Sequence, residues 1–394
     1  MSTLYHLLLV IGLLLLQAIA AIPWLLVVTK RSLTTSIAFL TKVVAGVVGV
    51  GLLGRLLIYF VGSGDLIFIG RVYCAVLTLQ VAIDFFVLAF YLMLTFTPKT
   101  GAVALAAFQE GTRQPLFWLI TSLGAMFMVV SIVIPYFTFG EDLKMVKELT
   151  YALTMLAPAF FGVISASISV AEEIEGRTAV TLLSKPVTRR SFLIGKFIGI
   201  TLASLMMTTL MGWVLVWVVL AKTHYDYVPG ITNLPPDPPW LGAFLDDAFG
   251  RGVSADLLRG SGLWLRDSME ALPGLIIGFG QVMTLIEVSV ALATRVPMVV
   301  NMAMCLVVYI LGHLTPIMVE VSQDIQLVRF FAQLFELLLP GLDLFDVGTA
   351  VVRDVPLDPG RYWLYTLNVA IYALIYTAIA NMAGLILFED KDVA

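Results

Sequence analysis

The sequence predicts an all-α polytopic membrane protein. Apolar runs of about 20 residues or more recur along the whole chain, the length a helix needs to cross ~30 Å of hydrocarbon. Hydrophobic residues make up 60% of the chain and charged residues 13%, against roughly half and a quarter in soluble domains. Lys and Arg collect in alternate gaps between the runs, the bias that sets orientation in a bilayer. The net charge of -4 says little, because lipid-facing residues dominate.

About nine spans are expected. The first three cover about Leu4 to Val28, Ser36 to Val61 and Val72 to Phe96. Thr100 to Gln114 is less hydrophobic, carries Glu110 and Arg113, and reads as an amphipathic helix at the interface. The fourth span is about Leu116 to Phe139, and after a charged loop, Gly140 to Glu148, the fifth is about Leu149 to Val170. The sixth runs from about Phe192 to Ala221. Residues 222–270 form the one large hydrophilic insertion. Its first half is broken by Pro229, Pro235, Pro236, Pro238 and Pro239, and its second half suits short amphipathic helices. The seventh span, about Leu272 to Ala293, turns at Thr294 to Pro297 into the eighth, about Met298 to Met318. Residues 325–352 are apolar but interrupted at Pro340-Gly341, which predicts a re-entrant or interfacial hairpin. The ninth span is about Tyr362 to Phe388.

Placing Lys30-Arg31, Lys99, Arg113, Arg177, Lys185, Arg189, Arg190, Arg295 and Lys391 on one side lets all nine spans alternate. That side is expected to be the cytoplasm, with the N-terminus outside and the C-terminus inside, in a bacterial inner membrane. Met1 to His6 has no Lys or Arg, so the first run reads as a retained helix and not a cleaved signal. The insertion at 222–270 and the broken hairpin then face out. Cys74 and Cys305 both lie in apolar runs and the three histidines are far apart. No metal site, cofactor or nucleic-acid surface is indicated.

The most patterned polar stretch is Ala171 to Lys196, AEEIEGRTAVTLLSKPVTRRSFLIGK. Three carboxylates, Glu172, Glu173 and Glu175, precede Gly176, Arg177 and Thr178. A short helix-like piece with Leu182 and Leu183 ends at Pro186, and the basic pair Arg189 and Arg190 follows. Gly176 permits a sharp bend and Pro186 stops a helix. The interfacial Glu110-x-x-Arg113 followed by PLF, the stretch from Glu173 to Arg189, the LIGK from Leu193 and the PGLDLF from Pro340 together resemble the permeases of type-2 ABC transporters. The flavour is that of the copper-maturation and gliding-motility permeases. The family often has Gly-Thr where this chain has Gly176-Arg177-Thr178.

The resemblance implies a six-helix ABC exporter-type core at residues 100–394, preceded by a three-helix extension at 1–99. It makes 100–115 the elbow helix, 171–191 the cytoplasmic coupling segment, 222–270 an extracytoplasmic loop and 325–352 a broken hairpin. It also implies a separate cytoplasmic ATPase that carries ATP and Mg, and a dimer of permease chains, homodimer or heterodimer. No G-x-x-x-x-G-K-[ST] loop occurs in this chain, so ATP hydrolysis would belong to that partner. The rival reading is a membrane anchor for an extracytoplasmic partner, held by the outward loop. An intramembrane enzyme would need converging catalytic groups that no motif supplies.

Charges inside spans face protein or water and usually pair. Arg55 and Asp84, on the second and third spans, are close enough in depth to be partners. Glu287 suits a subunit interface or polar path, and Asn301 and His313 suit hydrogen bonds between helices. Gly46 and Gly49, with Gly51 and Gly54, would let helices approach closely.

Overall fold

The computed structural model describes residues 11–23, 63–136, 141–175, 188–227, 253–321, 326–346 and 358–389, with a few single positions between 41 and 49; side chains at 171–175 are not described. The elements are helical: α1 Ile11–Pro23, α2 Ser63–Phe96, α3 Pro98–Arg113, α4 Pro115–Val130, α5 Asp142–Glu175, α6 Arg189–Tyr225, α7 Val253–Ala293, α8 Met298–Val321, α9 Gln326–Leu338 and α10 Pro359–Glu389. Among the described residues there is no strand. Among the described residues six helices are long and apolar enough to cross a membrane, and α3 with α4, bent by 58°, would make a seventh if the pair is one span. This is an integral membrane protein of the expected class. The expected second span, with Arg55, lies outside the described residues.

Helix ends follow local chemistry. Pro115 forces Gln114 into an extended conformation (ψ 136°), which bends the chain between α3 and α4. Thr188 caps α6, its hydroxyl accepting from the Ser191 N–H. Several helices run past the apolar windows of the sequence. α5 has 34 residues and α6 has 37, about 50–55 Å at 1.5 Å per residue, well beyond the hydrocarbon thickness. The charged residues 142–148, expected as a loop, are the first turns of α5. The second half of the insertion is not a set of short helices either. From Val253 it is the start of the 41-residue α7.

The chain divides into two compact units, residues 1–89 with 227–270 and residues 90–226 with 271–394. The later half of the insertion thus falls with the N-terminal residues, whereas the sequence suggests one boundary near residue 99. In the first unit, backbone approach at two glycines sets the packing. A Cβ on Gly70 would stand 2.2 Å from the Leu257 carbonyl oxygen, and one on Gly260 would stand 2.0 Å from that of Ile67. The contact is reinforced by Ser261 Oγ donating to Gly70 O (3.1 Å), Trp264 Nε1 to Thr78 Oγ1 (3.1 Å) and an Arg71–Asp267 ion pair (3.1 Å). A Cβ on Gly46 or Gly49 would meet nothing within 4 Å. Gly51 and Gly54 lie outside the described residues, as do most of the residues around Gly46 and Gly49.

The second unit holds the main core, built from α5, α6, α7 and α10 around Phe192, Leu193, Ile286, Val290, Phe345 and Phe388. The helical run is interrupted at Pro340-Gly341. α9 ends before Pro340-Gly341, and a 310 turn, Leu342–Phe345, follows. Leu342 and Phe345 are fully buried. Gly312 on α8 and Gly280 on α7 leave room for them, since a Cβ there would come within 2.8 Å of Leu342 and 2.6 Å of Phe345. The Tyr372 hydroxyl accepts from the Gly341 N–H (2.9 Å), and the Tyr365 and Tyr376 hydroxyls donate to the carbonyls of Leu344 (2.8 Å) and Leu338 (3.3 Å). Three tyrosines of α10 thus satisfy backbone that a helix would satisfy by itself. Tyr372 is about 20 Å along α10 from Pro359, so the break reaches well into the length of that helix.

Candidate functional site

The expected coupling segment, with Gly176, Arg177, Thr178, Leu182, Leu183 and Pro186, lies outside the described residues, as do the side chains of Glu172, Glu173 and Glu175. What the structure describes is the base on which that segment stands. It leaves the end of α5 and returns at the start of α6. These two helices pack along each other, and α3 packs against α6 beside them.

The seam between α3 and α6 is made of small residues. A Cβ on Gly195 would lie 2.7 Å from Val103 and 2.9 Å from Thr100 O, and one on Gly199 would lie 2.4 Å from Ala104 O and 2.7 Å from Ala107. A Cβ on Gly111 would lie 3.4 Å from Ala203. Contacts advance together along both chains, so the two helices run side by side in the same direction. Small residues every fourth position on α6 let the backbones meet. The elbow is therefore not a helix lying free on a surface. Its small-residue face, Gly101, Ala104, Ala107 and Gly111, is buried.

Across this seam sits a charged knot. Lys196 on α6 is 5% exposed. Its ammonium donates to Ser169 Oγ on α5 at 2.7 Å and pairs with Glu110 on α3 at 3.5 Å. Ser169 Oγ also donates to Glu110 Oε2 (3.3 Å). One lysine thus ties the helix before the coupling segment, the helix after it and the elbow. Glu173 comes one helical turn after Ser169 on α5. Arg113 sits exposed in the last turn of α3.

A second tie joins the same end. Arg189 Nη1 donates to the Phe388 carbonyl at 2.9 Å and its guanidinium stands 5.5 Å from the centre of the Phe388 ring. Arg295, in the α7–α8 turn, donates through Nε to the Leu387 carbonyl at 2.7 Å. Arg190 is exposed.

The opposite end of the bundle mirrors this. Lys222 on α6, 2% exposed, donates to Ile132 O after α4 (3.3 Å) and pairs with Asp226 (3.1 Å) and with Asp142 at the start of α5 (3.8 Å). Between them, Trp213 and Trp217 meet edge to face at 6.0 Å and, with Val129 and Ile132, line an apolar cavity of about 400 Å³. Tyr225 and Tyr227 are exposed, as interface anchors should be.

The intramembrane polar residues separate into different roles. Asn301 does bond between helices. Its Nδ2 donates to Ser167 Oγ on α5 (2.9 Å) and to Ser289 O (3.0 Å) and Oγ (3.1 Å) on α7. Among the described residues, His313 bonds within its own helix: its Nδ1 meets Tyr309 O at 2.9 Å, with the two rings 4.6 Å apart. Glu287 is fully buried in the chain, and neither oxygen makes a hydrogen bond of normal geometry. The Asn381 carboxamide on α10 is the polar group facing it. It therefore points inward, not to an outer face. Asp84 is half-buried on α2, and its proposed partner Arg55 lies outside the described residues. Among the described residues no His, Cys, Asp and Glu cluster could hold a metal ion.

Lys196 and Ser169 were not singled out in the sequence, although the LIGK motif contains the lysine. The available signal was a lysine inside a Gly-x-x-x-Gly-x-x-x-Ala run, Gly195 to Ala203, where only a buried, paired cation fits.

Residues 83–235 match the model of the ABC-2 family transporter proteins. That stretch covers under half of the chain and contains α3 to α6, the charged knot and the whole coupling segment. It supports a permease component of an ABC transporter, a membrane subunit of a family that generally pairs with a cytoplasmic ABC ATPase. No curated protein matches the chain.

Proposed function

We propose that this chain is the transmembrane permease subunit of an ABC transporter, and that a separate cytoplasmic ATPase grips residues 171–191 to drive export or transmembrane mechanical transmission. One observation carries the reading. The two helices that flank the segment are pinned to each other and to the elbow by Lys196, Ser169 and Glu110 at their bases. A loop that only joined two spans would need no such knot. A segment that is pushed and pulled needs one, because displacement reaches the membrane only if its roots move as one body.

On this reading the ATPase supplies ATP and Mg, hydrolysis takes place there and not in this chain, and two permease copies pair so that two ATPases can enclose two nucleotides. Glu172, Glu173 and Glu175 and the exposed Arg190 offer charge to the partner, which fixes register more than affinity. The membrane would be a bacterial inner membrane with the coupling end in the cytoplasm. The motifs resemble those of the copper-maturation and gliding-motility permeases, so export and force transmission are the two uses proposed.

The test is purification of the tagged chain from its native membranes in mild detergent, with identification of stoichiometric partners. The reading expects an ATPase that is lost on Glu173→Lys. A partner held only through residues 222–270 and indifferent to Glu173→Lys would instead make the chain an extracytoplasmic anchor.

A further inference from the structure

The last helix ends in a socket. The final carbonyls of a helix have no partner within it and carry partial negative charge. On α10 two of these, Leu387 O and Phe388 O, receive arginines from two different connections: Arg295 from the α7–α8 turn and Arg189 from the exit of the coupling segment. The fit is built in depth. Phe388 is fully buried, its ring 6.0 Å from Phe192 on α6 and beneath the Arg189 guanidinium. One turn earlier, a Cβ on Gly384 would stand 3.0 Å from Ala291 on α7 and 3.4 Å from Leu193 on α6. Glycine there lets α10 lie against both helices.

We propose that Arg189 and Arg295 are positioning residues that make the C-terminal end of α10 a common strut between the coupling segment and the α7–α8 turn. This rests on the coupling reading above. It assigns Arg189 to transmission within the chain and leaves Arg190 to meet the ATPase. Motion of the segment then reaches α6 through the chain itself, and α7, α8 and α10 through the two guanidinium groups. Planar guanidinium suits this duty, since one face stacks on Phe388 while the edge donates to a carbonyl.

The experiment compares wild type, Arg189→Gln, Arg189→Lys, Arg295→Gln and Arg190→Gln in the complex purified with its ATPase. ATPase stoichiometry, ATP turnover and amide hydrogen exchange of the last turns of α10 are read on each. Arg189→Gln and Arg295→Gln are expected to keep the ATPase bound, to lower turnover about ten- to a hundredfold through misplacement, and to speed exchange at the end of α10. Arg189→Lys should fall between, and Arg190→Gln should loosen the ATPase without changing exchange in α10. Loss of the ATPase from Arg189→Gln with exchange unchanged would overturn the proposal, as would unchanged turnover with faster exchange. If wild type brings down no ATPase, the coupling reading fails and the transmission role with it. The exchange data on the chain alone then still decide whether the arginines hold α10: unaltered exchange in both Gln variants removes the strut as well.

Discussion

Lys196 and Lys222 show how a buried cation is made tolerable in an apolar helix. Each reaches two or more oxygens on other elements, and each has a carboxylate partly open to solvent, Glu110 and Asp142 respectively. The partners are not equivalent under mutation. Removing Lys196 as Lys196→Met leaves Glu110 able to take up water, whereas Glu110→Ala removes an acid from a cation that is 5% exposed. We expect Glu110→Ala to cost about 2 kcal/mol, more than Lys196→Met, in thermal unfolding in detergent. Asn301→Leu should cost about 1–2 kcal/mol, since hydrogen bonds between membrane helices average ~0.6 kcal/mol each and three are lost here. Glu287 should respond to charge and not to shape. Glu287→Gln, which preserves volume, should hold or raise the unfolding temperature, while Glu287→Lys should prevent accumulation of folded protein.

Packing at the level of helices turns on glycine where backbones meet. Gly199→Val puts branched carbon into a space where even a Cβ lies 2.4 Å from the Ala104 carbonyl. It should separate α3 from α6, lower folded yield and expose the elbow to proteolysis, whereas Gly12→Val, at a position with nothing within 4 Å, should do neither. Punctuation by proline was legible in the sequence. Pro115 places the bend after the elbow and Pro340-Gly341 places the hairpin break, because both act on the adjacent dihedrals and need no tertiary partner. Helix lengths were not legible. Hydropathy marks where hydrocarbon stops, and the hydrogen-bond ladder of α5 and α6 continues beyond it through Asp142 to Glu148 and Arg189 to Phe192. The start of α7 was missed for a related reason. Residues 253–270 mix charge with apolar positions, and their helix is settled by Gly260, Ser261 and Trp264 packing against residues 67–78, contacts that lie nearly 200 positions away in sequence.

At the scale of the whole chain, the Lys/Arg bias sets the expected orientation. Glu110 and Arg113 of the elbow, Arg189 and Arg295 all come from connections assigned to one side. In the second unit Lys196 joins Glu110, and Arg189 and Arg295 meet at the end of α10. Lys222, at the opposite end of the second unit, is paired with two acids, Asp142 and Asp226. The segment expected to couple stands out in the sequence because its pattern is local. Its base does not, since Lys196, Ser169 and Glu110 are single polar residues on three helices that only the fold brings together. Conditions that protonate carboxylates should weaken a partner held by Glu172, Glu173 and Glu175, so ATPase retention should fall as buffers drop toward the ordinary carboxylate range, near pH 4, and also fall with added salt.

The most direct measurement is ATP turnover in the material that co-purifies with the tagged chain from native membranes, wild type beside Glu173→Lys. The account predicts a stoichiometric ATPase and ATP hydrolysis with wild type, and loss of both with Glu173→Lys while the chain itself remains folded. An equal yield of ATPase from both chains, or none from wild type, would contradict it.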